Sequence, residues 1–337
     1  MQPSAEAIWH ATPKELTDLL NAGTLSAKPK VVRFYAPSFM YYKTKHYKSS
    51  PTRFPTVSVT GKACTLNCMH CGGKVLETMQ PAETPGKLFA LAEKLKQQGA
   101  LGCLVSGGCL PNGSVPLKPF ISAIEEIKRK LGLTVFVHTG IIDAGTAKAL
   151  KRAGVDAALI DVIGSDETIE KVCGLNVTVN NFVASLKALQ EADLNFVPHV
   201  IVGLDDGKLK GEFDALQMIA TVKPSAVVII AFMPILGTAM AEVKPPQQAD
   251  IVKVTAMARL MFPQTPLALG CVRPKRKHRA KTDVLALKAG VDAIAFPSEE
   301  AVKYAEEQGY SFSFSSCCCA QIYANNTILS HKNRDEL

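Results

Sequence analysis

Short apolar runs alternate with longer amphipathic stretches from residue 55 to about residue 310. The apolar runs are rich in β-branched residues and predict buried strands, whereas the stretches between them predict helices. Eight strands are predicted, at 55–59, 102–106, 134–138, 157–161, 196–202, 226–232, 266–271 and 292–296. Several helices, including those at 83–99, 117–132 and 143–154, end at a glycine, which favours the left-handed turn that closes a helix.

Strands that alternate with helices pair in parallel through right-handed crossovers. Eight such units over about 250 residues predict a closed (β/α)8 barrel of the TIM type, with an open doubly wound sheet as the alternative. The sequence therefore predicts an α/β protein in three parts. They are an N-terminal extension with one or two helices (1–50), the barrel (51–310) and a polar, loop-like tail (311–337).

The amino-acid composition indicates the size of the core and the cellular compartment expected for this chain. Of its 337 residues 47% are hydrophobic, enough for a large core. The first residues lack the basic-then-apolar pattern of a signal peptide, and the longest apolar stretch, 226–240, is interrupted by Pro234 and Gly237. We therefore expect a cytoplasmic protein without a membrane partner. Ten cysteines in such a protein are expected to be metal ligands or core thiols rather than disulfides.

Three cysteines, Cys64, Cys68 and Cys71, follow the first predicted strand. The chemistry of a (β/α)8 barrel lies at the carboxyl ends of its strands, so this segment is expected at the catalytic face. A structural zinc ion usually takes four protein ligands, and His70 is the one additional candidate nearby. The spacing favours a [4Fe–4S] cluster with one iron open to a small molecule, and it leaves a structural metal or a redox loop as alternatives.

The C-x3-C-x2-C motif after a first barrel strand resembles that of the radical S-adenosylmethionine (SAM) enzymes. The resemblance implies that Cys64, Cys68 and Cys71 hold the cluster, whose open iron binds the amino and carboxylate groups of SAM. In that family one electron from the cluster splits SAM into methionine and a 5′-deoxyadenosyl radical, which removes hydrogen from the substrate. His70 occupies the family position that lies near the adenine.

Other strand ends resemble the family's SAM contacts. They are Ser106, Gly107 and Gly108 for the amino group, Asp161 and Ser165 for the ribose, and Ile201 and Gly203 for the adenine. Asp161 is equally well explained as a helix cap. Many relatives place an arginine between strands four and five to meet the SAM carboxylate, but no arginine occurs between Arg152 and Arg259. Lys171 or a backbone amide would have to serve instead.

The strand-five segment most resembles biotin synthase and its kin. Biotin synthase holds a second, sulfur-donating cluster with cysteines of strands two, three and five and an arginine of strand seven. Here strands three and five carry His138 and His199 but no cysteine, so this ligand set is incomplete. We expect a second, auxiliary Fe–S cluster to be bound elsewhere. Its expected ligands are Cys271 after strand seven and Cys317, Cys318 and Cys319 in the tail.

The segments FYAPSF, SGGC and LGCVRP, together with the tail cysteines, resemble the two-component lipoyl synthases. That family pairs two radical SAM proteins and inserts sulfur into an octanoyl chain on a carrier protein. The resemblance implies three partners: an octanoylated lipoyl carrier domain, a second radical SAM subunit and a reductant such as ferredoxin. Alternatives are another biotin synthase-like enzyme, whether biotin synthase, hydrogenase maturase or mutase, and a non-enzymatic cluster or zinc protein.

Much of the net charge of +8 lies in the run 273–281, just after strand seven. We expect this run to rim the catalytic mouth and to dock an acidic carrier domain. The docking residues are Arg273, Lys275, Arg276, Lys277, Arg279 and Lys281. A phosphate or nucleic acid is the alternative ligand, although no RNA-binding module accompanies the barrel.

Overall fold

A computed structural model describes residues 3–23, 25 and 31–330, with side chains described up to residue 324. Its strands form one parallel sheet. They are β1 (Val31–Tyr35), β2 (Thr56–Ser58), β3 (Gln80–Pro81), β4 (Gly102–Ser106), β5 (Thr134–His138), β6 (Ala157–Val162), β7 (Phe196–Val202), β8 (Val227–Ala231), β9 (Leu267–Leu269), β10 (Ala293–Ala295) and β11 (Ser311–Ser315). Their order across the sheet is β11-β1-β10-β9-β8-β7-β6-β5-β4-β2-β3.

The eight predicted barrel strands correspond to β2 and β4 to β10, and they lie side by side in chain order. This arrangement confirms the predicted α/β barrel of the TIM type. The sequence predicted that the eight strands close directly on one another. Instead β1 and β11 extend the ladder beyond β10, and β3 extends it beyond β2, so the edges of this curled sheet are β11 and β3.

Helices alternate with the strands. They are α1 (Ala5–His10), α2 (Pro13–Ala22), α3 (Pro85–Gln97), α4 (Ile121–Glu126), α5 (Ala144–Arg152), α6 (Asp166–Thr168), α7 (Val179–Glu191), α8 (Glu212–Ala220), α9 (Gln248–Met261), α10 (Lys277–Lys288) and α11 (Glu299–Glu307). Short 3₁₀ segments lie at Lys74–Thr78 and Lys118–Phe120, and π-helical turns at Ile127–Leu131 and Ile169–Cys173. The predicted glycine ends are confirmed, for example at Gly132 (φ 62°) and Gly154 (φ 79°).

The N-terminal extension is part of the fold rather than a separate flank. Its helices α1 and α2 pack against α9, where the Nζ atom of Lys253 donates to the backbone oxygen of Trp9 at 2.8 Å. Strand β1, which we expected to lie outside the barrel, pairs with β10 on one side and β11 on the other. Its central position follows from its apolar residues, since Val32 and Phe34 are fully buried.

The tail is not loop-like, and that prediction was wrong. Residues Ser311–Ser315 form β11, and a 3₁₀ helix spans Cys319–Ser330. The residues that follow β11 and those at the start of the 3₁₀ helix lie inside the barrel. There Cys317, Cys319 and Ile322 pack with Phe136 of β5 and Val197 of β7. The hydroxyl of Tyr323 donates to the backbone oxygen of Asp156, just before β6, at 2.7 Å. The tail therefore runs from the carboxyl ends of the strands towards their amino ends.

No helix in residues 3–23 and 31–330 combines the length and the apolar character needed to cross a membrane.

Candidate functional site

The segment with three cysteines is a compact loop at the carboxyl end of β2. The amide nitrogens of Cys71 and Gly72 donate to the backbone oxygen of Cys68, at 3.1 and 2.7 Å. Two further backbone bonds tie the loop to its surroundings: Thr65 to the oxygen of Cys109 at 3.0 Å, and Met69 to that of Val172 at 2.8 Å. The loop is thus fixed by its neighbours at the catalytic face, as the sequence predicted.

Two thiols of this loop and the imidazole of His70 lie close enough together to share a metal ion. The Sγ of Cys68 donates to the backbone oxygen of Cys173 at 3.6 Å, and ligand atoms of Cys68, His70 and Cys71 lie within 4.8 Å of one another. A hydrogen bond with the Cys173 side chain raises the pKa of Cys68 to about 12, and the bond to Cys68 together with burial raises the pKa of Cys71 to about 12. A reactive thiol needs a lowered pKa, whereas a metal ion replaces the proton outright.

A cavity of about 340 Å³ opens beside the cysteine loop. It is lined by every residue that the sequence predicted for the first cluster and SAM, except Ser165 and Gly203. These lining residues are Cys64, Cys68, His70, Cys71, Ser106, Gly107, Gly108, Asp161 and Ile201. The structure therefore brings together side chains from the ends of four different strands around one space.

Gly108 shows how closely the turn after β4 approaches the cysteine loop. A Cβ atom at this position would overlap the backbone oxygen of Ala63 and would lie 2.6 Å from the Cα of Cys64. The amide of Gly108 donates to the Oγ1 atom of Thr60 at 2.7 Å. Only glycine permits this approach, so the position of Cys64 depends on the absence of a side chain at residue 108.

Replacing Gly108 with alanine is expected to displace the cysteine loop. Overpacking of this kind costs about 1–3 kcal/mol of unfolding free energy and should lower iron incorporation, because Cys64 would move. Iron per chain after anaerobic reconstitution measures the effect. Gly86→Ala is the control, since a Cβ there meets nothing within 4 Å. Normal iron content in both variants would show that the contact does not position the loop.

The donors around the cavity also fit a bound cluster and SAM. The Nδ1 atom of His70 is buried and has no hydrogen-bond partner within the described part of the chain. An unpaired buried nitrogen is costly unless a ligand satisfies it. His70 is therefore suited to a polar ligand in the cavity.

Three other predicted contacts have different partners. The hydroxyl of Ser165 caps α6 by accepting from the amide of Thr168 at 3.2 Å, so Ser165 rather than Asp161 is the helix cap. Gly203 faces Pro246, which a Cβ would approach to 2.8 Å, and this contact requires glycine. The Nζ atom of Lys171 binds Asp205 and Asp206 at 2.8 and 2.7 Å, outside the cavity lining.

Asp161 instead belongs to a cluster with two histidines. Its Oδ1 lies 3.7 Å from the Nε2 of His138, and the rings of His138 and His199 are 5.9 Å apart. Burial opposes the ionised form of Asp161, but the two histidines outweigh it and lower its pKa to about 2. Burial opposes protonation of His138, yet the Asp161 carboxylate raises the net pKa above its usual value. Burial lowers the pKa of His199 to about 4.

The four predicted auxiliary ligands lie in or beside the barrel interior. Cys317 and Cys319 are buried, whereas Cys318 and Cys271 are half-buried against the same core. A hydrogen bond from Cys319 lowers the pKa of Cys318, and His138 acts in the same direction. Burial raises the pKa of Cys271 to about 12, and Cys318 adds to that shift. Cys271, Cys318 and Cys319 are therefore electrostatic neighbours, with Cys318 also close to His138.

The basic run divides into a buried and an exposed part. The prediction that Arg273 docks a partner was wrong, because its side chain is 0% exposed. Its Nε and Nη2 atoms bind both oxygens of Asp283, at 2.8 and 3.0 Å, and Nη1 bonds the backbone oxygens of Gly270 and Ala295. Arg279 is half-buried and donates to the backbone oxygen of Arg273 at 3.0 Å. The exposed members are Lys275, Arg276, Lys277 and Lys281.

Arg273→Met is accordingly expected to destabilise the fold by about 3–5 kcal/mol, because it leaves the buried carboxylate of Asp283 without its partner. Urea unfolding measures the loss. Lys275→Met, on the exposed part of the same run, is the control and should stay within about 0.5 kcal/mol of the native protein. Equal stability of the two variants would contradict the structural role of Arg273.

Several cavity residues were missed from the sequence. Phe232, Met233 and Ile235 follow β8 and form part of the wall, but their apolar run predicted only a buried strand and its loop. His138 also lines the cavity. The sequence contained a signal for His138, because a polar residue at the carboxyl end of a parallel strand is expected to face the site, as Asp161 does. Sequence reasoning noted His138 only as the absence of a cysteine.

Comparison with known proteins agrees with this site. The model of the radical SAM superfamily matches residues 58–209, which include the cysteine loop, the glycine turn and β7. Biotin synthase of Leptospira biflexa serovar Patoc (strain Patoc 1 / Ames) is 28% identical over 223 residues, covering 62% of this chain and 60% of that protein. Biotin synthase of Synechococcus elongatus (strain ATCC 33912 / PCC 7942 / FACHB-805) is 25% identical and covers 86% of this chain and 90% of that protein.

Solved structures share the fold. The [FeFe]-hydrogenase maturase HydG has a TM-score of 0.64 at 18% identity, covering 96% of this chain and 73% of that chain. Methylornithine synthase has a TM-score of 0.62 at 15% identity, with 93% and 95% covered. Residues 58–209 therefore match the radical SAM superfamily, and the similar proteins named above are biotin synthases.

Proposed function

We propose that this protein is a radical SAM enzyme whose cysteine loop holds a [4Fe–4S] cluster and whose cavity binds SAM. Cys64, Cys68 and Cys71 are the cluster ligands. When bound, the cluster supplies the electron for reductive cleavage of SAM. Support comes from the fit of the residues: three thiols at one end of the cavity, a glycine turn in close contact with Cys64, and a buried His70 nitrogen without a partner.

The surrounding residues orient SAM and exclude water. The hydroxyl of Ser106 and the backbone of Gly107 and Gly108 lie beside the cluster ligands, where the amino group of SAM is expected. Ile201 supplies an apolar surface for the adenine, and His70 supplies a polar nitrogen. Lys171 is paired elsewhere, so backbone groups are the better candidates for the SAM carboxylate.

The proposed reaction is insertion of sulfur into a protein-bound octanoyl chain, as in the two-component lipoyl synthases. One observation carries this proposal: the tail cysteines lie inside the barrel, next to the wall of the SAM cavity. His138 lines that cavity and influences the pKa of Cys318, while Ile201 lines it and packs against the core that contains Cys317 and Cys319. A second cluster held by Cys271, Cys318 and Cys319 would thus lie inside the barrel, next to the wall of the SAM cavity.

The cavity walls suit an alkyl substrate. Apart from the cysteine loop and the polar residues at strand ends, the lining is largely apolar. It includes Leu66, Val115, Ile141, Ile163, Leu175, Phe182, Phe232 and Ile235. Burial of each methylene against such a wall contributes about 0.8 kcal/mol, so an octanoyl chain would be held mainly by these contacts. The carrier lysine would enter at the mouth, where Val75 and Val272 are exposed.

Mass spectrometry tests the reaction directly. An octanoylated carrier peptide is incubated anaerobically with the protein, SAM and a reductant, with and without the proposed second radical SAM subunit. Sulfur insertion predicts a mass increase of one sulfur atom per reacted carbon, together with 5′-deoxyadenosine. If 5′-deoxyadenosine forms but no thiolated peptide appears under either condition, the octanoyl substrate is wrong although the radical SAM assignment stands.

Docking of an acidic carrier domain is expected to depend on the exposed basic residues at the start of α10, so binding should weaken as salt rises. The combined variant Lys275→Gln, Arg276→Gln and Lys277→Gln should weaken binding and flatten its salt dependence, measured as the Kd for the carrier domain. The combined variant Lys87→Gln, Lys94→Gln and Lys96→Gln, which removes three exposed charges on α3, is the matched control. A salt response that is unchanged in the triple variant would exclude this surface.

A different reaction of the biotin synthase-like group is the second candidate, because the named relatives are biotin synthases. The barrel interior speaks against a biotin-type auxiliary cluster. Strands β5 and β7 present the buried side chains of Phe136 and Val197 to the core that the tail fills, rather than cysteines. Counting iron and sulfide separates a mutase-type reaction, for which one cluster per chain is expected, from sulfur insertion, for which two are expected.

A further inference from the structure

Three potential metal ligands converge at the ends of three adjacent strands. His138 ends β5, Asp161 lies near the end of β6, and His199 lies in the middle of β7. Asp161 and His199 are direct neighbours across the β6–β7 pairing. One ligand atom from each of the three residues lies within 4.8 Å of the other two. Because adjacent parallel strands hold these side chains, the cluster is set by the sheet and not by a loop.

The hydrogen bond of His199 fixes which of its nitrogens is available. Nδ1 lies 3.0 Å from the backbone oxygen of Val197, and a carbonyl can only accept a hydrogen bond. Nδ1 therefore carries the proton, and Nε2 keeps its lone pair. Metal-binding histidines typically donate their second N–H to a backbone carbonyl or a carboxylate in this way, which orients the ring.

The surroundings favour a cation. His199 is 8% exposed, and Asp161 lines the cavity. The carboxylate of Asp161 and the unprotonated Nε2 of His199 are both electron-pair donors, which a cation would bind together. The His138–Asp161 contact of 3.7 Å is longer than a hydrogen bond. A divalent ion among the three groups could take one ligand atom from each, because these atoms lie within 4.8 Å of one another.

We propose that His138, Asp161 and His199 bind a divalent transition-metal ion through two imidazole nitrogens and one carboxylate oxygen. Ligands of this kind suit iron or zinc and leave open positions at the metal. The ion is either mononuclear or an iron of the second cluster, which would then be ligated jointly with the neighbouring Cys318. This assignment replaces the ribose contact predicted for Asp161. It does not depend on the octanoyl substrate.

Cobalt binding tests the site in a full-length background in which Cys64, Cys68 and Cys71 are replaced by serine, so that the first cluster site does not compete. Circular dichroism and thermal melting verify that each variant is folded. One Co²⁺ per chain is expected, with visible d–d absorption. Changes outside the direct ligands of a metal typically cost 10–100-fold in affinity. Loss of a ligand in His199→Ala or Asp161→Asn should therefore weaken binding by more than about 100-fold.

His278→Ala is the matched control, because it removes an imidazole whose Nε2 contacts the backbone oxygen of Pro246 outside the cavity. Unchanged affinity in His199→Ala would overturn the proposal. X-ray absorption of the zinc-loaded background protein needs no further variant. We expect imidazole scattering with Zn–N distances of about 2.0–2.1 Å, whereas sulfur alone at about 2.3 Å would also overturn the proposal.

Reconstitution of the same background protein with iron and sulfide shows whether the ion is mononuclear or an iron of the second cluster. Iron without acid-labile sulfide, lost in His199→Ala, supports a mononuclear ion. Iron with sulfide, and with a ¹⁴N coupling in pulsed EPR that disappears in His199→Ala, supports an iron of the second cluster. A cluster that forms without nitrogen coupling, in protein that also fails to bind Co²⁺, would contradict ligation by these residues.

Discussion

Replacing Cys68 with alanine is expected to abolish reductive cleavage of SAM. Cys68 lies at the centre of the cysteine loop, and its Sγ is hydrogen-bonded within the protein rather than facing solvent. Removing one of three thiolates leaves the cluster without a complete set of protein ligands. Since even indirect changes around a metal cost 10–100-fold, production of 5′-deoxyadenosine should fall by more than about 100-fold.

The control for this experiment is Cys103→Ala. Cys103 is buried in β4 and lies outside the cavity lining, so its loss should affect stability but not SAM cleavage. Formation of 5′-deoxyadenosine is followed by chromatography after anaerobic incubation with dithionite. Cleavage by Cys68→Ala at the native rate would show that the loop does not hold the reactive cluster.

Replacing the tail cysteines is expected to separate the two halves of the reaction. The variant Cys317→Ser, Cys318→Ser and Cys319→Ser should still cleave SAM, because the first cluster site lies on another loop, but it should form no thiolated product. Serine is close to cysteine in size, so packing of the tail inside the barrel should be largely retained. The ratio of thiolated peptide to 5′-deoxyadenosine is the measured quantity.

Single variants refine this expectation. Cys318 is half-buried and close to His138, whereas Cys317 is buried in the apolar core with Phe136 and Val197. Cys318→Ser should therefore lose product as completely as the triple variant, and Cys317→Ser should retain a measurable part of it. Thiolated product at the native ratio in the triple variant would exclude the tail as the sulfur-donating site.

Local sequence patterns were sufficient for the elements that build the barrel. Buried parallel strands need continuous apolar runs, and each of the eight runs corresponds to a strand within two residues at either end. The site followed from the same regularity, because residues at the carboxyl ends of parallel strands meet on one face. Cys64, Ser106 and Ile201 thus converge on the cavity although they are far apart in sequence.

Local sequence patterns could not predict the contacts between the two ends of the chain. Strand β1 pairs with β11, and Phe34 meets Phe312 and Phe314 with ring centroids 5.6 and 5.2 Å apart. The alternating run 311–315 has strand periodicity, but its partner lies about 280 residues earlier in the chain. The tail packs inside the barrel against Phe136 and Val197, which lie on two different strands, so no single segment of the sequence reveals this contact.

The exposure of the charged side chains in the basic run also could not be predicted from the sequence alone. In the sequence Arg273 and Lys275 belong to one cationic stretch. In the structure Arg273 is buried and forms a two-point salt bridge with Asp283, whereas Lys275 is exposed. Pairing of an arginine with a carboxylate ten residues later requires that both side chains turn inward, which depends on the path between β9 and α10. The reduced docking surface of Lys275, Arg276, Lys277 and Lys281 is a consequence of this packing.

EPR spectroscopy of the reduced protein with and without SAM is the most direct test of whether the cysteine loop holds a cluster that binds SAM. We expect a [4Fe–4S] signal from the anaerobically reconstituted protein that changes when SAM is added, because SAM is proposed to bind the open iron beside Cys64, Cys68 and Cys71. A signal that SAM leaves unchanged, or zinc in place of iron at these three thiols, would contradict this proposal.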